Sequence, residues 1–159
     1  MSDRKNHHQA LQALFFSSSS GVWVRPNLDL ACGFCSVSVR LTPEASTSWG
    51  TVKDSIIFQL LLDAAALAAN TQETSLLVKC DKFEFSPSQP LHECRVVSVA
   101  RVIHSSVHQW IIDSTLHDEA ENEIAWGRSW FSRSDFLLKT IAPYKNQFLK
   151  LRQDWSKQS

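Results

Sequence analysis

The stretch "SWGTVKDSIIFQLLLDAAALAAN", Ser48 to Asn70, is the most apolar part of the chain, yet it carries Gln59 and Asp63 and follows a short polar loop. A membrane span needs about 20 nearly uncharged apolar residues. The run from Ile56 to Ala69 is shorter and is broken by Gln59 and Asp63, so it reads as a helix of a folded domain. Thr51 is placed as its N-cap, with Asp54 three residues on in a variant of the capping box, where the acid also suits the positive helix end. Asn70 reads as a left-handed stop. The intervening segment would give roughly 28 Å of helix. Apolar residues fall on every side rather than on one stripe, so the helix is expected to be covered all round.

The surrounding chain sets the class. With 159 residues, 43% hydrophobic and 20% charged, it suits one domain with a sizeable core. Sixteen basic residues balance sixteen acidic ones, which lacks the electrostatic footprint of a nucleic-acid binder or a protein held on an acidic membrane. The opening "MSDRKNHHQALQALFF" has only a short apolar stretch and no small-residue cleavage pattern after it, so no targeting segment is read there and a cytoplasmic location is expected.

Outward from the central helix, residues 6 to 16 read as a short helix with Leu11, Leu14 and Phe15 on one side, ended by the serine run at 17 to 21 as a flexible connector. His7 and His8 are expected in a loose terminus. "VWVRPNLDLACGF" is ambiguous: Trp23 and Val24 favour a strand, while Pro26 confines it to an edge or a turn. Ser36, Ser38 and Arg40 alternate with Val37, Val39 and Leu41, the period of a half-buried strand. After the central helix come four long strand candidates, at 75 to 85, 93 to 105, 108 to 117 and 122 to 133. Their short connections predict antiparallel neighbours. In the third, His108, Trp110, Ile112 and Leu116 share a face; in the fourth, Ile124, Trp126 and Trp130 do. From Pro143, Tyr144, Phe148, Leu151 and Trp155 form the stripe of an amphipathic helix. The expected division is 1–21, an N-terminal helix and linker; 22–134, the main domain; and 135–159, the C-terminal helix.

The cysteines and histidines add little chemistry. "CGFC" at Cys32 and Cys35 has the spacing of a redox dithiol, but such a motif wants its first thiol at a helix start, and "SVSVRL" follows as a strand. Cys80 and Cys94 do not make the second close pair of a zinc site. The His residues are scattered, so no metal is expected. There is no glycine-rich phosphate loop and no nucleophile elbow.

A strand, a long apolar helix and four long antiparallel strands describe an α+β domain in which a curved antiparallel sheet wraps one central helix, the hotdog arrangement. From Val37 to about Arg133 the layout resembles the hotdog acyl-CoA thioesterases of the phenylacetate-degradation type. "RLTPEASTSWGTVKDSIIFQLLLDAAA" lies along their pattern of a strand ending near a Pro, a loop with Asn then Gly, a His-Gly-Gly turn opening the helix, and an acid further along it. Gly50 matches the loop glycine. Thr47 stands where that family has Asn, and Lys53, Asp54 and Ser55 replace His-Gly-Gly. The family acid falls at Leu62, with Asp63 one residue late, a turn of about 100° on a helix.

The resemblance implies hydrolysis or binding of an acyl-CoA or acyl-carrier thioester between the subunits of a homodimer or homotetramer, with coenzyme A as part of the substrate and no separate cofactor. It makes Asp63 the nucleophile or base. The backbone around Asp54 and Ser55 becomes the oxyanion hole, and Thr47, Gly50, Lys53 and Gln59 become substrate contacts. Each residue also has a structural reading. Asp63 can bond to Gln59 one turn earlier, Asp54 can be a helix-start residue, and Lys53 can be solvated. Arg95, Arg101, Arg128 and Arg133 read chiefly as strand-face charges, and the Trp residues as core or interface rather than as an acyl tunnel. A non-catalytic acyl-binding or assembly module is the alternative. A hydroxyacyl dehydratase using His104 or His108 ranks last.

Overall fold

A computed structural model describes residues 2–17 and 21–158; the side chains of Ser2, Trp155 and Gln158 are not described, and most of the expected serine connector lies outside the described residues. The elements run α1 (Ser2–Ser17), β1 (Trp23–Ala31), β2 (Phe34–Leu41), a short 3-10 turn at Pro43–Ala45, α2 (Asp54–Asn70), β3 (Leu76–Pro87), β4 (Arg95–Ser105), β5 (Trp110–His117), β6 (Glu123–Leu137) and α3 (Ala142–Gln158). One six-stranded antiparallel sheet has the order β1-β2-β4-β5-β6-β3 and wraps α2.

The floor under α2 is built mostly from small side chains. Ala100, Ser114 and Gly127 line up across β4, β5 and β6, with Ser98, Leu116 and Ala125 in the next row. Against them lie Ala64, Ala65 and Ala68 of α2, all fully buried. Small groups on both surfaces let the helix axis approach the sheet, and the Ser98 hydroxyl donates to the Leu60 carbonyl at 3.1 Å. Gly127 is required by packing, since a Cβ there would stand 2.7 Å from the tip of the Phe83 ring.

Several local expectations are corrected. Consecutive β3 and β4 are not neighbours: β3 pairs with β6 at the far edge, while β4 lies between β2 and β5. The connection between them runs through Pro87 and Pro90 and passes under the start of α2, where Val52 donates to the Leu91 carbonyl. In β6 the inward face is Ala125, Gly127, Ser129 and Phe131, buried opposite the inward residues of β5. Trp126 and Trp130 stand on the outer face, where Arg128 lies over Trp126 and Lys82 over Trp130. "CGFC" is a hairpin turn: Cys32 and Gly33 (φ +71°) join Ala31 to Phe34, and Cys35 points into the core. Burial pushes the Cys35 thiol well above its ordinary range, the opposite of an activated thiolate. Pro26 does lie on an edge strand, beside a bulge between Val24 and Asn27.

The terminal helices pack on one another across the far end of α2. His7 is 3% exposed rather than loose. Its Nε2–H donates to the Asn70 carbonyl at 2.6 Å, and its Nδ1 accepts from the Tyr144 hydroxyl at 2.7 Å. A carbonyl can only accept, so Nε2 carries a proton, and burial favours the neutral ring in which Nδ1 accepts. Burial holds the His7 pKa below its ordinary value of 6.5 and pushes that of Tyr144 up to about 12.

Candidate functional site

The loop that leads into α2 is closed by its own backbone and hydroxyls. The Thr47 amide donates to the Thr51 carbonyl at 2.7 Å, the Thr47 hydroxyl accepts from the Thr51 amide, and Gly50 donates back to the Thr47 carbonyl at 3.1 Å. Gly50 sits at φ +90° with open space where a Cβ would go, so conformation and not crowding requires glycine there. Trp49, at the tip, is 77% exposed.

This closure corrects the expected helix start. Thr51 is tied to Thr47 and does not cap; the N-cap is Lys53, which makes no side-chain cap bond. Its ammonium instead donates to the Glu44 carbonyl at 3.3 Å. Ile56 and Ile57 both bond to the Lys53 carbonyl, whereas the backbone N–H groups of Asp54 and Ser55 have no partner among the described residues. Two free donors at the positive end of a 17-residue helix form an anion-favouring position. A cavity of about 400 Å³ opens beside it, lined by Trp49, Thr51, Asp54 and Ile57 on one side and by the Pro87–Leu91 connection on the other.

Asp63 lies elsewhere. It is nine residues further along α2, about 14 Å in rise and on the opposite side of the helix. Its cavity of about 270 Å³ is roofed by Leu11, Leu14 and Phe15 of α1 and bounded by Asn70 and Leu77. Burial pushes the Asp63 carboxyl up to about 6, against a side-chain hydrogen bond from Gln59 that pulls it down. The helix-start set and the Asp63–Gln59 pair therefore do not share a cavity within one chain. The α1 roof was missed from sequence because nothing in "HHQALQALFF" says which carboxylate it covers.

α2 is not covered all round in one chain. Asp54, Ser55 and Phe58 are exposed, and Leu62 and Ala66 are half-buried on the same side. Phe58 packs edge-on against Phe83 at 4.6 Å and Phe85 at 6.3 Å, giving a partly open aromatic surface between α2 and β3. Among the described side chains no Trp takes part in it. Among the described residues no group of His, Cys, Asp and Glu is placed to hold a metal ion, and no helix is long and apolar enough to cross a membrane.

The arrangement of sheet, order and central helix is the hotdog fold. The structure is similar to the PaaI protein of the phenylacetic acid degradation operon of E. coli, with a TM-score of 0.73 and 16% identity over 84% of this chain and 96% of that one. It is also similar to a mutant of the phenylacetic acid degradation protein PaaI from Thermus thermophilus (TM-score 0.62, 20% identity, 69% and 93% covered) and to a mutant thioesterase enzyme from Staphylococcus aureus (TM-score 0.64, 16% identity, 67% and 91% covered). Neither a protein-family model nor a curated protein matches the sequence.

Proposed function

We propose that this chain hydrolyses or binds acyl thioesters at an interface between subunits of a homodimer or homotetramer. The observation that carries the reading is the pair of unpartnered amides at Asp54 and Ser55, at the start of the long central helix and beside a cavity lined by Asp54. Such donors polarise a thioester carbonyl and stabilise the negative charge that develops on its oxygen. Asp63, pushed up to about 6 by burial, is tuned to act near neutral pH as base or nucleophile. It would serve the helix start of a second subunit, because its own lies on the other side of α2. Gln59 holds the Asp63 carboxyl, Thr47 and Gly50 shape the loop, and Lys53 contacts the phosphates of coenzyme A or an acyl carrier. The Phe58, Phe83 and Phe85 surface takes the acyl chain, and the free edge of β3 is the place for subunit pairing. No cofactor beyond the coenzyme A of the substrate is required, and the setting is cytoplasmic.

A second reading, a non-catalytic acyl-binding module, is favoured by one specific observation: α1 roofs Asp63 with Leu11, Leu14 and Phe15. The Asp54 carboxylate beside the free amides also opposes an oxyanion. Hydrolysis of short, long and aromatic acyl-CoA thioesters by the wild type, Asp63→Asn and Asp54→Asn separates the two. Turnover that falls by about a hundredfold or more in Asp63→Asn supports the enzyme. No turnover of any thioester by the wild type, with saturable acyl-CoA binding, moves the assignment to the module.

A further inference from the structure

A cavity of about 620 Å³ lies at the other end of α2, between α1, α3 and the turn that leads into β3. Its size falls in the range of small-molecule sites. From the start of α2 to this end is roughly 25 Å of helix, so it is separate from the cavity beside Asp54.

The charges on its wall are unbalanced. Arg4 of α1, Lys139 after β6 and Arg152 of α3 face a single acid, Asp3. None of the three cations has an ion-pair partner among the described residues; Glu73, in the turn that lines the cavity, is taken by Arg133. Lys139 and Arg152 both lie over the Phe148 ring, each 5.5 Å from its centroid, so their charges are at most twice that distance apart. This clustering stands out in a chain whose formal net charge is zero.

The negative pole of α2, which would otherwise repel an anion here, is taken up by hydrogen bonds. The carbonyls of Leu67, Ala68, Ala69 and Asn70 accept from the Thr71 amide, the Thr71 hydroxyl, the Gln72 amide and the His7 ring respectively. Burial disfavours a charge on His7. The hydroxyls of Thr74 and Ser75, also on the wall, make no side-chain hydrogen bond among the described residues and are free to donate.

We propose that this cavity binds a compact phosphorylated small molecule, whose multiply charged phosphate is held by Lys139, Arg152 and Arg4 with the Thr74 and Ser75 hydroxyls. Bringing such an anion in removes the mutual repulsion of the cations and forms charge-assisted hydrogen bonds. The proposal does not depend on thioester chemistry at the opposite end of the helix.

Sodium pyrophosphate is the probe. Its binding to the full chain is measured by calorimetry and by thermal shift, against sodium chloride and sodium citrate at matched ionic strength. Saturable binding is expected for the wild type, weakened about tenfold in Lys139→Gln and in Arg152→Gln. Lys79→Gln, which removes an exposed cation on β3, should bind as the wild type does. All the substituted side chains are exposed, so loss of fold does not confuse the result. The proposal is overturned by absence of saturable binding, by equal affinity in the cavity variants, or by citrate binding as tightly as pyrophosphate.

Discussion

The two ends of α2 differ in how their backbone groups are satisfied. At the C-terminal end every carbonyl of the last turn has a partner. Asn70, 2% exposed, brackets the helix to β3 by donating to the Glu73 and Leu76 carbonyls and accepting from the Val78 amide. Glu73 accepts from the Ser75 and Leu76 amides and pairs with Arg133, which also donates to the Val107 carbonyl. Burial works to raise the Glu73 pKa, but these bonds together hold it below the ordinary value. At the N-terminal end the N-cap is a lysine with no cap bond, and two amides are free. One end anchors the fold; the other leaves donors available to a ligand.

The largest effect that would break this contrast is at the anchored end. Asn70→Leu removes three hydrogen bonds, two of them buried, and strands their partners, and should cost about 3 kcal/mol or more in urea unfolding. An effect below about 1 kcal/mol would mean that the bracket is not what holds the helix end. Tyr144→Phe leaves His7 Nδ1 buried without its donor, for an expected loss of about 1–2 kcal/mol.

Stability should also depend on pH, with two opposing contributions. His7 has its folded pKa below 6.5, so the unfolded chain binds the proton first. Its contribution is present above about 6.5 and is lost as pH falls below that value. Asp63 is raised from 3.8 to about 6, so the folded chain keeps a proton that the unfolded chain releases. Its contribution is present below about 4 and is lost as pH rises through about 6. Comparing unfolding from pH 4 to 8 in the wild type, His7→Gln and Asp63→Asn separates the two slopes. Identical slopes in all three proteins would refute both assignments.

The smallest expected change has the opposite sign and lies at the open end. Lys53→Ser places a capping hydroxyl on backbone already in the extended conformation an N-cap needs (φ −62°, ψ 136°), and should stabilise the chain by about 0.5–1 kcal/mol. The same hydroxyl would occupy a donor that the proposed reaction uses, so turnover or acyl-CoA affinity should fall as stability rises. If both rise together, the free amides are not part of the site.

The fold was legible in the sequence where the signal was local. The apolar run of α2, the alternation of β2 and the Val- and Ile-rich strands all found their elements, and one apolar helix amid long strands was enough for the wrapped arrangement. The errors share a physical cause, which is that the deciding partner lies far away. Asn70 looked like a left-handed stop but stays helical because its amide is taken up by β3; the residue after it, Thr71, has φ −64°. His7 looked loose because its partners stand 63 and 137 residues away. Short sequence separation suggested that β3 and β4 pair, but α2 and its contacts place β3 at the opposite edge. At the site, the Gln59 contact to Asp63 could be read one turn away, whereas the α1 roof could not.

The outward side of β3 is the longest run of unpaired backbone the sheet presents, and its composition limits what can join it. Lys79, Asp81, Lys82 and Glu84 are exposed along that strand, and Lys79–Asp81 and Lys82–Glu84 pair within it at 4.0 and 3.0 Å. Charges on an edge discourage indiscriminate strand addition, so unrelated β segments meet desolvation and mismatched charge there. Growth of the sheet is thereby filtered: a strand whose own charges answer these four can close the edge, while runaway stacking into fibres is disfavoured.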